Sequence, residues 1–334
     1  MNRLARLICV TGLLILAAPG SLAFPQTPPL RRAGDVPAKG LVAWLESQGY
    51  EPTPLSLNKG GWLDVKVEVE GLQMLLMLDT GANNLNLHRP SAERAKLPIR
   101  PIEQKTAALG GILETGTTKI SQLSIGNVTS PAESYVVDFG PTNALRARYG
   151  EPPCDGVIGG SYLAYWSAII DYANSTLYLL DPDRKPKSPE RLLVAAGYVP
   201  ISLELNKSLT LDVKAEANGK LMVLFLDTGA REALSLDRSS AKRAGLVVKE
   251  NENQSVELGG ALVTGWANVE NLAVGRFAVS TRAHVTDYTP TNASRKGLAV
   301  GPCDGTLNGG LLVEHSAIID YAHRKLFLLK AGED

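Results

Sequence analysis

The sequence predicts an all-β protein made of two tandem lobes related by a pseudo-twofold axis and joined into one unit. Three observations predict it: a long internal repeat, period-two alternation of apolar and polar residues within each copy, and a polar, proline-bearing stretch between the copies. At 334 residues the chain is long enough for one larger unit of two similar halves.

The repeat runs through four blocks in the same order. GYEPTPLSLNKGGWLDVKVEVEG from Gly49 resembles GYVPISLELNKSLTLDVKAEANG from Gly197, and MLLMLDTGANNLNLHR matches MVLFLDTGAREALSLDR. LGGILETG at Leu109 then matches LGGALVTG at Leu258, and PCDGVIGGSYLAYWSAIIDYANSTLYLL matches PCDGTLNGGLLVEHSAIIDYAHRKLFLL. The offset is 148 residues from Asp79 to Asp227 and 149 from Cys154 to Cys303, so the second copy carries one inserted residue. Two copies are too few for a solenoid and fit a pseudo-symmetric pair of lobes. The lobes are placed at residues 41–183 and 191–331. The linker falls at 184–190, within the polar stretch DPDRKPKSPE, and a further linker at 24–40 precedes the first lobe.

Within each copy, short strands dominate. WLDVKVEVEG alternates as a half-buried strand does and ends in a turn at Gly71. MLLML before Asp79 is the continuous apolar run of a strand buried on both faces. AIIDYANSTLYLL predicts two strands with a turn at Asn174, preceded by one short helix in SYLAYWS.

Ahead of the repeat, residues 1–23 predict a secretory signal peptide. Arg3 and Arg6 precede the apolar residues 7–18, and the run Ser21-Leu22-Ala23 supplies small residues at the two positions a signal peptidase inspects. The apolar core is shorter than the ~20 residues a membrane span requires, and Ile8 before Cys9 excludes a lipobox. The expectation is therefore a secreted or periplasmic protein that leaves the membrane after signal cleavage. With 34 basic and 34 acidic residues, no global field favours nucleic acid or an anionic membrane. The four histidines are scattered without an HExxH pattern, no CxxC pair is present, and no metal or cofactor is expected. G-x-S-x-G, P-loop and G-x-G-x-x-G patterns are missing too.

The chemistry is carried by Leu-Asp-Thr-Gly-Ala, at residues 78–82 and again at 226–230. One DTG is an ordinary turn; two, each after a buried strand and each at the same distance from a CDG block, form a constellation. Two carboxylates about 3 Å apart cannot both ionise, so Asp79 and Asp227 would share one proton, one acting as base and the other as acid on a water. Gly81 and Gly229 let main-chain N–H groups approach the carboxylates. Thr80 and Thr228 supply hydroxyls able to bond across the pseudo-twofold axis.

These residues resemble the retropepsin-like branch of the aspartic peptidases, with two lobes fused in one chain around a central cleft. The hydrophobic-hydrophobic-glycine step at Val157, Ile158 and Gly159, followed by a short helix and a hairpin, resembles the family's later signature, and the likeness covers nearly all of residues 45–329. The resemblance implies Asp79 and Asp227 as catalytic dyad and Thr80, Gly81, Thr228 and Gly229 as its support. It places Gly110, Gly111, Gly259 and Gly260 in flap hairpins that close over an extended peptide or unfolded protein substrate. A monomer with an intramolecular pseudo-dimer is implied. The family's loop positions set Cys154 and Cys303 on opposite walls of the cleft, so two thiols are expected rather than a disulfide. One departure stands out: in the second copy Thr306, Leu307 and Asn308 replace the step, so an asparagine side chain is expected to crowd the loop behind Asp227. The expected function is aspartic endopeptidase; the alternative is a catalytically inactive peptide-binding module that retains the fold.

Overall fold

The computed structural model describes residues 40–102, 114–250 and 264–330 in full, and the backbone of strands Ile8–Cys9, Thr106–Ala108, Gly111–Leu113, Ser255–Glu257 and Gly260–Leu262. Apart from Ile8–Cys9, the expected signal peptide and the linker after it lie outside the described residues until Gly40.

Each lobe is a closed six-stranded barrel. In the first, Leu63–Val69, Leu72–Leu78, Gly156–Ile158, Asn86–His88, Val128–Val137 and Gly116–Ile125 follow one another, and the last pairs back onto the first at Ile125 and Val67. The second repeats this with Leu211–Ala217, Lys220–Asp227, Gly305–Asn308, Leu234–Asp237, Phe277–Thr286 and Gly265–Val274, closing at Val274 and Ala215. Closure removes the open edges that would otherwise template aggregation.

Local sequence explains the strands. Leu63, Val65, Val67 and Val69 are buried while Lys66 and Glu68 point outward, the alternation a barrel wall requires. The hairpin that follows turns on Glu70 (φ 48°) and Gly71 (φ 80°); its counterpart turns on Asn218 (φ 47°) and Gly219 (φ 77°). Two consecutive positive φ values give the turn twist that matches a strand pair. The apolar strand Leu72–Leu78 is buried on both faces over its last three residues, as the sequence implied.

A six-stranded sheet joins the lobes, in the order Tyr198–Ser202, Lys325–Leu329, Ile318–Asp320, Ile169–Asp171, Thr176–Leu180 and Tyr50–Pro54. At its centre Ile170 faces Ile319 across an antiparallel pair, so the pseudo-twofold axis passes between them. Residues 181–189 cross between lobes without regular structure, and Glu190 opens the helix Glu190–Ala195.

The all-β reading holds for the barrels, with more helix than the one short segment expected per copy. That segment forms, as Gly160–Tyr165 and Gly309–Glu314. Two longer helices, Gly140–Arg148 and Thr289–Gly297, were not anticipated. Each inserts an arginine into the protein. Arg146, fully buried, donates to both oxygens of buried Asp64 at 3.0 and 2.8 Å and to the Pro152 carbonyl at 2.7 Å. Arg295 repeats the fork on Asp212 at 3.1 and 2.7 Å. Asn143 and Asn292 clamp the main chain of Cys154 and Cys303 through two bonds each. The repeated Pro-Thr-Asn-Ala-x-Arg at residues 141–146 and 290–295 is the signal for this clasp.

Removing Arg146 leaves the Asp64 carboxylate buried without its counter-charge. Arg146→Ala is expected to destabilise the protein by about 3–5 kcal/mol in denaturant unfolding, and the double variant Arg146→Met with Asp64→Leu to recover most of that loss.

Candidate active site

Asp79 follows the strand Leu72–Leu78 and Asp227 closes the strand Lys220–Asp227; both carboxyls are buried at the lobe interface, 1 % and 0 % exposed. Their loops interlock through the neighbouring threonines. Thr80 Oγ1 donates to the Leu226 carbonyl (2.8 Å) and accepts from the Thr228 N–H (3.1 Å). Thr228 Oγ1 donates to the Leu78 carbonyl (2.7 Å) and accepts from the Thr80 N–H (3.0 Å). Four buried bonds therefore cross between lobes, and neither loop completes its hydrogen bonding alone.

The interlock delivers the carboxyls to each other: the Asp79 carboxyl lies against Gly229, two residues beyond Asp227, close enough for the Asp227 side chain to pull on its proton affinity. Asp79 Oδ1 also accepts from the N–H of Gly81 (2.9 Å) and Ala82 (3.1 Å), and Asp227 Oδ1 from that of Gly229 (2.9 Å). Gly229 has to be glycine, since a Cβ there would lie 2.8 Å from the Asp79 carboxyl carbon. Burial pushes the Asp79 carboxyl up to about 6, against the lowering pull of the Ala82 and Gly81 N–H groups and of Asp227. Two buried phenols from the joining sheet back the pair. Burial raises both, and the nearby charges of Asp79 and Asp227 add to the rise at Tyr321 and Tyr172 respectively.

The support is asymmetric. Trp62 Nε1 donates to the Gly229 carbonyl at 2.9 Å, reaching from the first lobe to the Asp227 loop. Its repeat counterpart Thr210 bonds within its own turn, to Asn206 Nδ2 at 2.8 Å. Arg231, two residues beyond Gly229, returns the contact: its guanidinium lies 4.0 Å from the Tyr149 ring centre and 5.4 Å from that of Trp62, and bonds Gly60 O and Tyr149 Oη. Trp62, Tyr149 and Arg231 form an interlobe clasp that sequence reasoning missed; Trp62 against Thr210 in the aligned copies was the available signal.

The expected crowding at Asn308 does not occur. At Gly159 a Cβ would fall 2.4 Å from the Asn84 carbonyl and 2.6 Å from that of Ala82, so the first lobe requires glycine. The second lobe has three residues, Arg231, Glu232 and Ala233, where the first has Asn83 and Asn84, and this is where the inserted residue lies. The longer loop takes the side chain: Asn308 is fully buried, and its Nδ2 donates to Ser235 Oγ at 2.8 Å.

The CDG aspartates are staples. Asp155 accepts from Ser91 Oγ (2.6 Å), Arg94 (2.7 Å) and Leu75 N (2.8 Å), and Asp304 from Ser240 Oγ (2.7 Å), Arg243 (2.6 Å) and Val223 N (2.8 Å). Each pins a short helix to the strand leading into the dyad, and these bonds hold both carboxyls below the usual range despite burial. No disulfide joins Cys154 and Cys303, and both are buried; burial pushes the Cys154 thiol up to about 12.

Gly110 and Gly259 lie outside the described residues. Gly111 and Gly260 open the return strands of two hairpins, paired to Ala108 and Glu257. The backbone of Thr106–Ala108 lies beside helix Thr289–Gly297 of the second lobe, and that of Ser255–Glu257 beside Gly140–Arg148 of the first, so each hairpin reaches across to the opposite lobe. Among the described residues no group of His, Cys, Asp and Glu has the arrangement of a metal site.

Because the folded pKa of Asp79 lies above the ~3.9 of an unfolded aspartate, the folded state holds the proton more tightly. Stability from this group is full below about pH 4 and is lost as pH rises through about 6. Asp79→Asn is therefore expected to raise Tm relative to wild type at pH 7.5, with the gain vanishing by pH 4, as thermal scans across that range will show.

A family model described as aspartyl protease matches residues 65–162, a span holding the Asp79 motif, the interlocking Thr80, the CDG staple and the Gly159 step. No curated protein matches the chain. The second lobe repeats the matched barrel strand for strand, so the fold is that of two tandem retropepsin-like lobes, the first of them matched by the aspartyl protease family model.

Proposed function

We propose that the protein is an aspartic endopeptidase that hydrolyses extended or unfolded polypeptides outside the cytoplasm, acting as a monomer whose two lobes stand in for a dimer. The observation that carries this reading is the crossed threonine interlock that sets the buried Asp79 carboxyl against the Asp227 loop, with that carboxyl pushed up to about 6 by burial. A pair in that state retains one proton between two carboxyls over acidic pH, so it holds a base and an acid at once.

The mechanism follows from that proton count. The ionised carboxyl takes a proton from a water between the two groups, and the water oxygen forms a bond to the scissile carbonyl carbon. The protonated carboxyl gives its proton to the carbonyl oxygen, producing a tetrahedral diol. Collapse breaks the C–N bond as the first carboxyl returns its proton to the leaving nitrogen, and a diol hydroxyl reprotonates the second. The dyad ends with the single proton it began with. The threonine interlock and the buried strands supply the rigidity that two groups sharing one water require. The hairpins reaching over from each lobe suit a substrate held in strand conformation through its main chain. The expected signal peptide would deliver the enzyme to the periplasm or the medium.

The test is cleavage of a denatured protein by the chain from Phe24 onward, compared with Asp79→Asn and Asp227→Asn. Loss of at least about 10²-fold in kcat/KM in each variant is expected, the scale of one acid–base group. In wild type, kcat/KM should fall about tenfold per pH unit above about pH 6, where Asp79 surrenders the shared proton. Turnover surviving in either variant overturns the mechanism. Peptide binding at wild-type strength with no cleavage at any pH would instead identify an inactive binding module.

A further inference from the structure

At one matched place on the sheet that joins the lobes, the first lobe has an asparagine and the second a histidine. In the first lobe Asp171 ends the strand Ile169–Asp171 fully buried, and Asn174 answers it from the turn that follows. The Asn174 N–H donates to Asp171 Oδ1 at 3.0 Å and its Nδ2 to Oδ2 at 2.6 Å. In the second copy the same pair reads Asp320 and His323. The His323 N–H donates to Asp320 Oδ1 at 3.0 Å, and its Nδ1 lies 2.8 Å from Oδ2. An uncharged donor therefore completes this turn in one lobe, and an imidazole that can take up a proton completes it in the other.

The place is the seam between the lobes. Asp320 stands directly opposite Ile169 of the first lobe across the central antiparallel pair, and its side chain is wholly buried. Tyr50, on the first lobe's edge strand, is raised by burial and then by the charge of Asp320, and its buried hydroxyl has no hydrogen-bond partner among the described residues. The His323 side chain is 26 % exposed, so solvent protons reach it. The other charges around it are Glu190, which opens the helix after the linker, and Lys325, whose Nζ lies 3.7 Å from Glu190 Oε2. The bond to Asp320 holds the His323 imidazole above its ordinary value against the pull of partial burial, and the charges of Asp320 and Glu190 add to the rise. At His284 and His315, which bond no carboxylate among the described residues, burial wins and lowers the ring instead.

We propose that His323 and Asp320 form a proton-operated latch on the joint between the lobes, tight when the imidazole is charged and slack when it is neutral. With the ring charged, the bond joins a cation to a buried carboxylate, and such bonds are roughly twice as strong as neutral ones. With the ring neutral, it does only what Asn174 does in the first lobe, and the buried carboxylate has lost its counter-charge. Linkage fixes the direction. A folded value above the unfolded ~6.5 means that the folded state holds the proton more tightly. The contribution of the latch is therefore full below about pH 6.5 and is lost as pH rises through the folded value. The joint that docks the two lobes is thus braced in acid and loosened in alkali, whatever the carboxyl pair between them cleaves.

Two measurements on the full chain test this. In the first, amide hydrogen exchange is followed in the strands Ile318–Asp320 and Lys325–Leu329, with wild type and His323→Asn compared at equal pH so that intrinsic exchange cancels. The variant carries the residue that the fold already uses at position 174. Wild type is expected to exchange about fivefold more slowly than His323→Asn at pH 5 and at the same rate at pH 9, the difference between a charged and a neutral bond. Asn174→His should slow exchange in Ile169–Asp171 and Thr176–Leu180 at pH 5 and leave it unchanged at pH 9. In the second, the His323 ring is titrated by NMR, its signal identified by its loss in His323→Asn. A midpoint above about 6.5 is expected, falling in Asp320→Asn. A ratio between wild type and His323→Asn that is the same at pH 5 and pH 9 makes the pair a plain structural hydrogen bond and overturns the proposal, as does a His323 midpoint at or below about 6.5. Neither readout involves cleavage, so an inactive dyad leaves the latch standing and a failed latch leaves the endopeptidase reading standing.

Discussion

The exchange of hydrogen bonds between Thr80 and Thr228 is the constraint on which the rest of this structure depends. Each hydroxyl donates to the carbonyl before the other lobe's aspartate and accepts from the other threonine's N–H. Each such bond contributes only about 1 kcal/mol net, but leaving its partners buried and unmatched costs about 1–3 kcal/mol per group. The lobes consequently dock in one register. That register brings the Asp79 carboxyl against Gly229 and beside the Asp227 side chain. The joining sheet reinforces the docking from below, with Ile170 and Ile319 meeting at the axis and Tyr172 and Tyr321 closing the floor.

Around this symmetric centre the chain has diverged where a fused protein is free to diverge. A homodimer must use the same residue twice, whereas here Trp62 braces the opposite Asp227 loop and Thr210 stays within its own turn. Arg231 reaches back across while its counterpart loop is one residue shorter, and that extra residue is also what makes room for Asn308. Asymmetric supports give two chemically identical aspartates different surroundings.

Much of this was legible in the sequence, for reasons that differ by feature. The barrel strands announced themselves because period-two alternation and positive-φ turn residues are local properties, read without knowing the partners of a strand. The aspartates and threonines were legible because the repeat doubled a weak motif. The Arg146–Asp64 and Arg295–Asp212 pairs were not, since their partners lie more than eighty residues apart and the repeated Pro-Thr-Asn-Ala-x-Arg does not by itself name the aspartate each arginine meets. The fate of Asn308 was misread for a related reason: whether a side chain fits depends on the length of a loop it packs against, not on its own neighbours in sequence. The Trp62 clasp was hidden because symmetry directs attention to what the copies share, and this contact exists only where they differ.

The account turns on two carboxyl groups behaving as one titrating unit. Aspartate-specific ¹³C labelling, with the carboxyl resonances followed from pH 3 to 8, measures that directly. The account predicts that Asp79 and Asp227 shift together, that the pair holds a single proton at moderately acidic pH, and that this proton leaves near pH 6. Two resonances titrating independently, each at the ordinary aspartate value near 4, would contradict it.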